Sequence, residues 1–163
     1  MNIQGEGRPG VRAPARLVTG TVLIGVGLGG FFDGIVLHQI LQWHHMLSDA
    51  GVPPDSVANL RLNVFADGLF HAATWALTLA GVLLLWSGLR ATPAPEASTG
   101  VMTGGLLAGW GGFNLVEGAI NHHLLGLHHV RPGPQELIYD VGFLLWGAMM
   151  LIAGVTLVRA SHN

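Results

Sequence analysis

The 163-residue chain is 50% hydrophobic and only 10% charged, with a mean hydropathy of +0.52. A soluble domain carries nearer a quarter charged residues, so this composition excludes one and predicts an integral membrane protein. Seven arginines, no lysine and nine acids give a formal charge of -2, too small and too dispersed for a nucleic-acid partner. Cysteine is absent, which removes disulfides, thiolate metal sites and cysteine nucleophiles.

In chain order, residues 1–16 are polar, with Arg8, Arg12 and Arg16, and read as a flexible cytoplasmic tail. Apolar sequence from Leu17 to Trp43 is long enough to cross a bilayer core, which needs about 20 helical residues. It is too long for the core of a cleaved signal, and no small-residue cleavage site follows it. A loop with Asp49, Gly51, Pro53, Pro54 and Asp55 leads to a second span, Leu60 to Leu89. The linker Arg90 to Gly100 precedes a third span from Val101 to Leu127. The turn Arg131-Pro132-Gly133-Pro134 introduces a fourth, from Glu136 to Val158. Residues 160–163, with His162, form a short cytoplasmic tail.

These elements predict an all-α, integral membrane four-helix bundle over residues 17–159, built from two tandem two-helix repeats, 17–89 and 101–158. The tail, the central linker and the C-terminus hold five arginines and the other two loops hold Arg61 and Arg131. This bias predicts both termini on the cytoplasmic side of the inner membrane. Small-x3-small patterns at Gly25/Gly29, Gly30/Gly34 and Gly105/Gly109 predict close helix contacts, within the chain or in a homo-oligomer.

The repeat is strongest in its polar residues. Asp33-Gly34-x3-His38-x5-His44-His45 recurs as Glu117-Gly118-x3-His122-x5-His128-His129, a shift of 84 residues from Asp33 to Glu117. Helices two and four match at a shift of 73, which puts Asp67 on Asp140 and Phe70 on Phe143. Ionisable residues inside membrane spans are costly and mark function by default.

At about 100° per residue, Asp33 and His44 share one helix face and His38 and His45 lie on another, and the second copy repeats this. With about 1.5 Å of rise per residue, His44, His45, His128 and His129 fall at the outer mouth. His38, His122, His123, Asp67 and Asp140 lie about 6 to 11 Å deeper, and Asp33, Glu117 and His71 at about 15 to 18 Å. The expectation is a polar shaft that opens outside and ends on two acids.

Imidazole and carboxylate without thiolate suit zinc, iron, manganese or divalent copper, and bundle cores hold such ions on facing helices. The candidate ligands are His38, His71, His122, His123, Asp33, Asp67 and Glu117. The pairs His44-His45 and His128-His129 are candidates for metal capture or a second site, and Asn63, Asn114, Asn121 and Asp140 for orienting the ligands. The spacing matches neither the Glu-x-x-His pairs of soluble di-iron bundles nor the His-Glu-x-x-His of zinc proteases.

The stretches Gly30-Phe31-Phe32-Asp33-Gly34, Asp67-Gly68-Leu69-Phe70-His71 and Asn114-Leu115-Val116-Glu117-Gly118 carry a resemblance, together with Asn121-His122-His123 and His128-His129-Val130-Arg131. They resemble a family of four-span bacterial membrane proteins catalogued as a domain of unknown function (2243), over nearly the whole chain after the tail. The resemblance implies a membrane bundle and a link to copper or to respiratory oxidase assembly partners, and assigns no role to any residue.

The leading expectation is therefore a transition-metal-binding membrane protein, with copper, iron or zinc as the ion. A membrane metalloenzyme acting on a lipophilic substrate, as an oxidoreductase or a hydrolase, and a proton or ion conduit are the alternatives. The residues do not decide whether a reaction is catalysed.

Overall fold

The computed structural model describes residues 15–91 and 99–161. Helix α1 runs Ala15–Phe32 and continues as a π-helical segment over Asp33–Ile40; α2 spans Val57–Ala91. Helix α3, Thr99–Glu117, likewise continues into a π-helical segment over Gly118–Leu124, and α4 spans Glu136–Ala160. Ser56 starts α2 by accepting the Asn59 N–H at 3.2 Å, an N-cap that satisfies one of the free donors of the first turn. The expected segments 1–14 and 92–98 and the tail residue His162 lie outside the described residues.

Helix α1 packs on both α2 and α3, and α3 packs on α4, so the order across the bundle is α2, α1, α3, α4. The repeat governs these contacts. A Cβ on Gly25 would overlap the carbonyl of Leu106, and a Cβ on Gly109 would overlap the carbonyl of Val22, so the two central helices meet backbone to backbone. Between α1 and α2 Gly20 faces the Gly81 carbonyl, and between α3 and α4 Gly104 faces that of Gly154. In lipid, where apolar side chains gain nothing by leaving one another's solvent, such close approach is a principal source of helix association.

The molecule is apolar outside and polar within. Among the described residues, buried hydrophobic side chains reduce to Leu17, Leu37, Val101, Val130 and Met150, whereas nine of the buried polar ones are His or carboxylate, among them Asp33, His38, His44, His45, Asp67, Glu117, His122 and His128. Asp140 completes that group. The outer faces of α2 and α4 expose Phe65, Trp75, Trp86, Ile138 and Leu145. A soluble protein rarely carries apolar patches of that extent, and hydrocarbon is the medium that accommodates them.

Three helices, Ala15–Ile40, Val57–Ala91 and Glu136–Ala160, are long and apolar enough to cross a membrane. The expectation of four such spans needs correcting at the third. Helix α3 is long enough, but its glycines together with Asn114 and Glu117 lower its hydropathy. Those same residues are the ones that let it sit at the centre of the bundle.

Candidate metal centre

Both π-helical segments begin beside an acid and carry a histidine. Their winding is visible in the hydrogen bonds Leu41 N–H to Val36 O and Leu125 N–H to Ile120 O, each 2.8 Å and spanning five residues instead of four. In an α-helix, residues five apart diverge by about 140°. The wider turn returns the fifth residue to the same face, so His38 Nε2 lies 3.3 Å from Asp33 Oδ2 and His122 Nε2 lies 3.2 Å from Glu117 Oε2.

The helices then stop short of the histidine pairs. After Ile40 the chain turns at Gln42, whose φ is 49°, and the second copy turns at the corresponding Gly126, φ 56°. This left-handed turn folds the following loop back over the helix end. His44 Nε2 comes to 3.9 Å from Asp33 Oδ1, and His128 Nε2 to 2.9 Å from Glu117 Oε1. The rings of His44 and His128 stack at 4.5 Å with 5° between their planes, where the two halves of the molecule meet.

The outward-facing ring nitrogens of His38, His44, His45, His128 and His129 are engaged. His44 Nδ1 is 2.8 Å from the Val130 carbonyl, and His128 Nδ1 is 3.2 Å from the Met46 carbonyl, each loop bonding the other. A carbonyl only accepts, so both Nδ1 atoms carry the proton. Asp67 accepts from His38 Nδ1 at 2.9 Å, His45 Nδ1 at 2.7 Å, Met46 N–H at 2.9 Å and Gln39 Nε2 at 3.2 Å. Asp140 repeats this with His129 Nδ1 at 2.6 Å and Val130 N–H at 2.9 Å, while His122 Nδ1 stands 3.4 Å from it without a hydrogen bond.

The consequence is a set of inward lone pairs. For His44, with Nδ1 protonated, the Nε2 of the neutral ring is an acceptor, and it faces Asp33, whose carboxylate oxygens are also acceptors. Asp33 Oδ1 and Oδ2, His38 Nε2, His44 Nε2, His122 Nε2 and Glu117 Oε2 are buried without a hydrogen-bond partner. Burial, reinforced by His128 and His38, holds the His44 imidazole down to about 2, so it is neutral. Converging buried acceptors repel unless a cation lies among them. Two groups can hold a metal ion, His38/His44/His128 and Glu117/His122/His128, with ligand atoms in each within 4.8 Å of one another.

The sequence pattern of the predicted membrane protein family DUF2243 matches residues 20–161. The chain belongs to that family. Comparison with curated proteins and with solved structures gives no match.

Within this DUF2243 chain several expected positions are corrected. The polar shaft is absent among the described residues, because π winding and the back-folded loops gather acids and histidines at one level. His44 and His128 are not at a mouth; they are buried at 2% and 0% exposure. Asp67 spends both oxygens on donors, as Asp140 does. His45 and His129 bind those two aspartates.

His123 is exposed. His71 is half-buried against Gly34, outside both clusters, at the place where the second repeat has Leu144. Asn63 secures a loop, accepting the Leu47 N–H at 2.9 Å and donating to the Val52 carbonyl at 2.7 Å. Asn121 donates to Glu117 at 3.4 Å, and Asn114 is buried beside Gly147.

Sequence reasoning missed Gln39 and the two backbone carbonyls of Met46 and Val130. The carbonyls lie two residues after His44 and His128, so the 84-residue repeat contained them in register, but only the fold reveals that they cross between copies.

Proposed function

We propose that the protein is a membrane metalloprotein holding two transition-metal ions in a centre shared by its two repeats. Asp33, His38 and His44 would hold one ion, and Glu117, His122 and His128 the other, each imidazole binding through Nε2. The observation that carries this reading is the set of buried, mutually facing acceptor atoms whose outer nitrogens are fixed by carbonyls and by Asp67 and Asp140. Hydrogen-bonded outer nitrogens of this kind orient and strengthen metal-binding histidines. The all-nitrogen and oxygen donor set suits iron, manganese, zinc or divalent copper above monovalent copper.

The pseudo-twofold relation favours two ions over one. His128 belongs to both possible ligand groups, but its Nδ1 is occupied by the Met46 carbonyl, so its Nε2, 2.9 Å from Glu117 Oε1, can serve only one ion. Dividing the ligands by repeat gives each ion an equivalent set. Ions would arrive through a 380 Å³ cavity whose walls include Trp43, His44, His45 and Asp49, on the loop side. With the termini cytoplasmic, as the arginine distribution suggests, that side is external to the inner membrane, where respiratory oxidase assembly partners would meet it.

A conduit is less well supported. Beyond Asp33 and Glu117, towards Ala15 and Thr99, the buried polar side chains among the described residues are Thr21, Thr74 and Asn114. The two threonines return their hydroxyls to backbone carbonyls of their own helices, which leaves no chain of relays across the bundle.

Elemental analysis of detergent-purified protein tests the proposal. Wild type should carry about two ions per chain, two being the number of equivalent ligand sets, and the His38→Ala/His122→Ala variant should carry almost none. Equal, negligible metal in both would sink it.

A further inference from the structure

The two repeats differ in one respect that bears on access to the centre. A cavity of about 470 Å³ lies in the groove between α2 and α3, walled by Val26, Phe70, Phe113 and Val116, and it reaches Glu117 and Asn121. Its volume is that of a small-molecule site. The backbones of α2 and α3 do not approach each other across the groove, which only the Phe70–Phe113 ring pair bridges, and Val116, on its rim, is 60% exposed.

The symmetry-related groove, between α4 and α1, lacks these small walls. At the 84-residue shift, Val116 corresponds to Phe32 and Val26 to Trp110, whose rings meet at 5.5 Å. Two aromatic side chains thus fill on one side what two valines leave open on the other. With one groove plugged and its twin open, the duplicated fold has a single lateral opening here.

We propose that this cavity binds a lipid-soluble aromatic alcohol that enters from the bilayer, its ring against the Phe70–Phe113 pair and its hydroxyl donating to Glu117. Four features specify the occupant. The portal opens into hydrocarbon, so the molecule partitions there. The walls are apolar, and the rings of Phe70 and Phe113, paired at 6.0 Å between centroids and tilted by 42°, give another ring an aromatic surface to pack against. The inner end is a carboxylate 94% removed from solvent, with Oε2 lacking any hydrogen-bond partner. An ionised carboxylate only accepts, so it selects a donor such as a hydroxyl over an ether or a carbonyl.

This inference rests on the metal-centre reading only for what lies behind Glu117. Binding itself does not require the ion, so it is measured on metal-free and metal-loaded protein separately from metal content. The probe is 4-octylphenol, with 4-octylanisole as the same molecule lacking the donor, titrated calorimetrically into protein in nanodiscs after subtraction of empty discs.

Wild type should bind one octylphenol per chain and bind octylanisole at least tenfold more weakly, the order of discrimination expected for a lost buried hydrogen bond. The Val26→Trp/Val116→Phe variant transplants the Phe32–Trp110 plug of the symmetry-related groove. It should weaken octylphenol at least tenfold while keeping the wild-type metal content. Should the double variant fail to fold, Val116→Phe alone is judged by the same criterion. Unchanged octylphenol affinity in the plugged protein, or equal affinity for phenol and anisole, would overturn the proposal. Normal binding in a protein that takes up no metal would sink the metal centre and leave the cavity assignment standing.

Discussion

His44 and His128 stack across the junction of the repeats, each bonding the loop that carries the other. Their neighbours divide cleanly by what remains for their lone pairs. Asp33 and Glu117 have free buried oxygens, whereas Asp67 is saturated by four donors. Asp67→Asn should therefore lower metal affinity by about 10- to 100-fold while saturating metal still restores full occupancy, as loss of an orienting partner does. His128→Ala should instead lose stoichiometry at any metal concentration. Competitive titration with a chelator distinguishes them, and equal loss of stoichiometry in both would show that Asp67 ligates. Gln42 is a second informative residue, because it holds a left-handed φ of 49° where the other copy has glycine. Gln42→Gly should stabilise the protein by about 0.5–1 kcal/mol, the strain removed exceeding the added freedom of the unfolded chain. Thermal unfolding in detergent measures it, and a lower midpoint would contradict the assignment of strain.

At the scale of elements, the central crossing depends on glycines that admit no substituent. Gly109→Ala would drive a methyl group into the Val22 carbonyl, and neither backbone can move aside without separating α1 from α3. A loss of about 1–3 kcal/mol is expected, as for other overpacked sites. Gly112→Ala, three residues on and with nothing within 4 Å, is the matched control and should be neutral or slightly stabilising. Comparable losses in both would mean that the crossing is not the cause.

Element geometry also separates what the residues disclose from what they conceal. The 84-residue repeat, the helical class and the coincidence of Asp33 with Glu117 and of Asp67 with Asp140 are legible by alignment of the chain with itself. The winding is not. Nothing in Asp33-Gly34-Ile35-Val36-Leu37-His38 announces a five-residue hydrogen-bond step, so α-helical arithmetic turned His38 away from Asp33. Nor does an ordinary residue such as Gln42 advertise a left-handed turn. Together these two local events convert an expected shaft about 18 Å deep into one compact cluster.

On the scale of the whole molecule, polar interior and apolar exterior are a single design. Glycines bring α1 and α3 together without apolar side chains between them, which leaves the interior at the loop end for the histidines and acids. The outer helices α2 and α4 present Trp75, Trp86, Leu145 and Ile152 to the surrounding hydrocarbon. Each repeat supplies one half of the cluster and one loop that braces the other half, so neither repeat alone is expected to bind metal tightly.

Anomalous diffraction from crystals of the metal-loaded protein, recorded at the absorption edge of the bound ion, tests the central claim most directly. The account predicts two peaks, one among Asp33, His38 and His44 and the other among Glu117, His122 and His128. Peaks confined to exposed residues such as His123, or no peak between the two repeats in protein shown to contain metal, would contradict it.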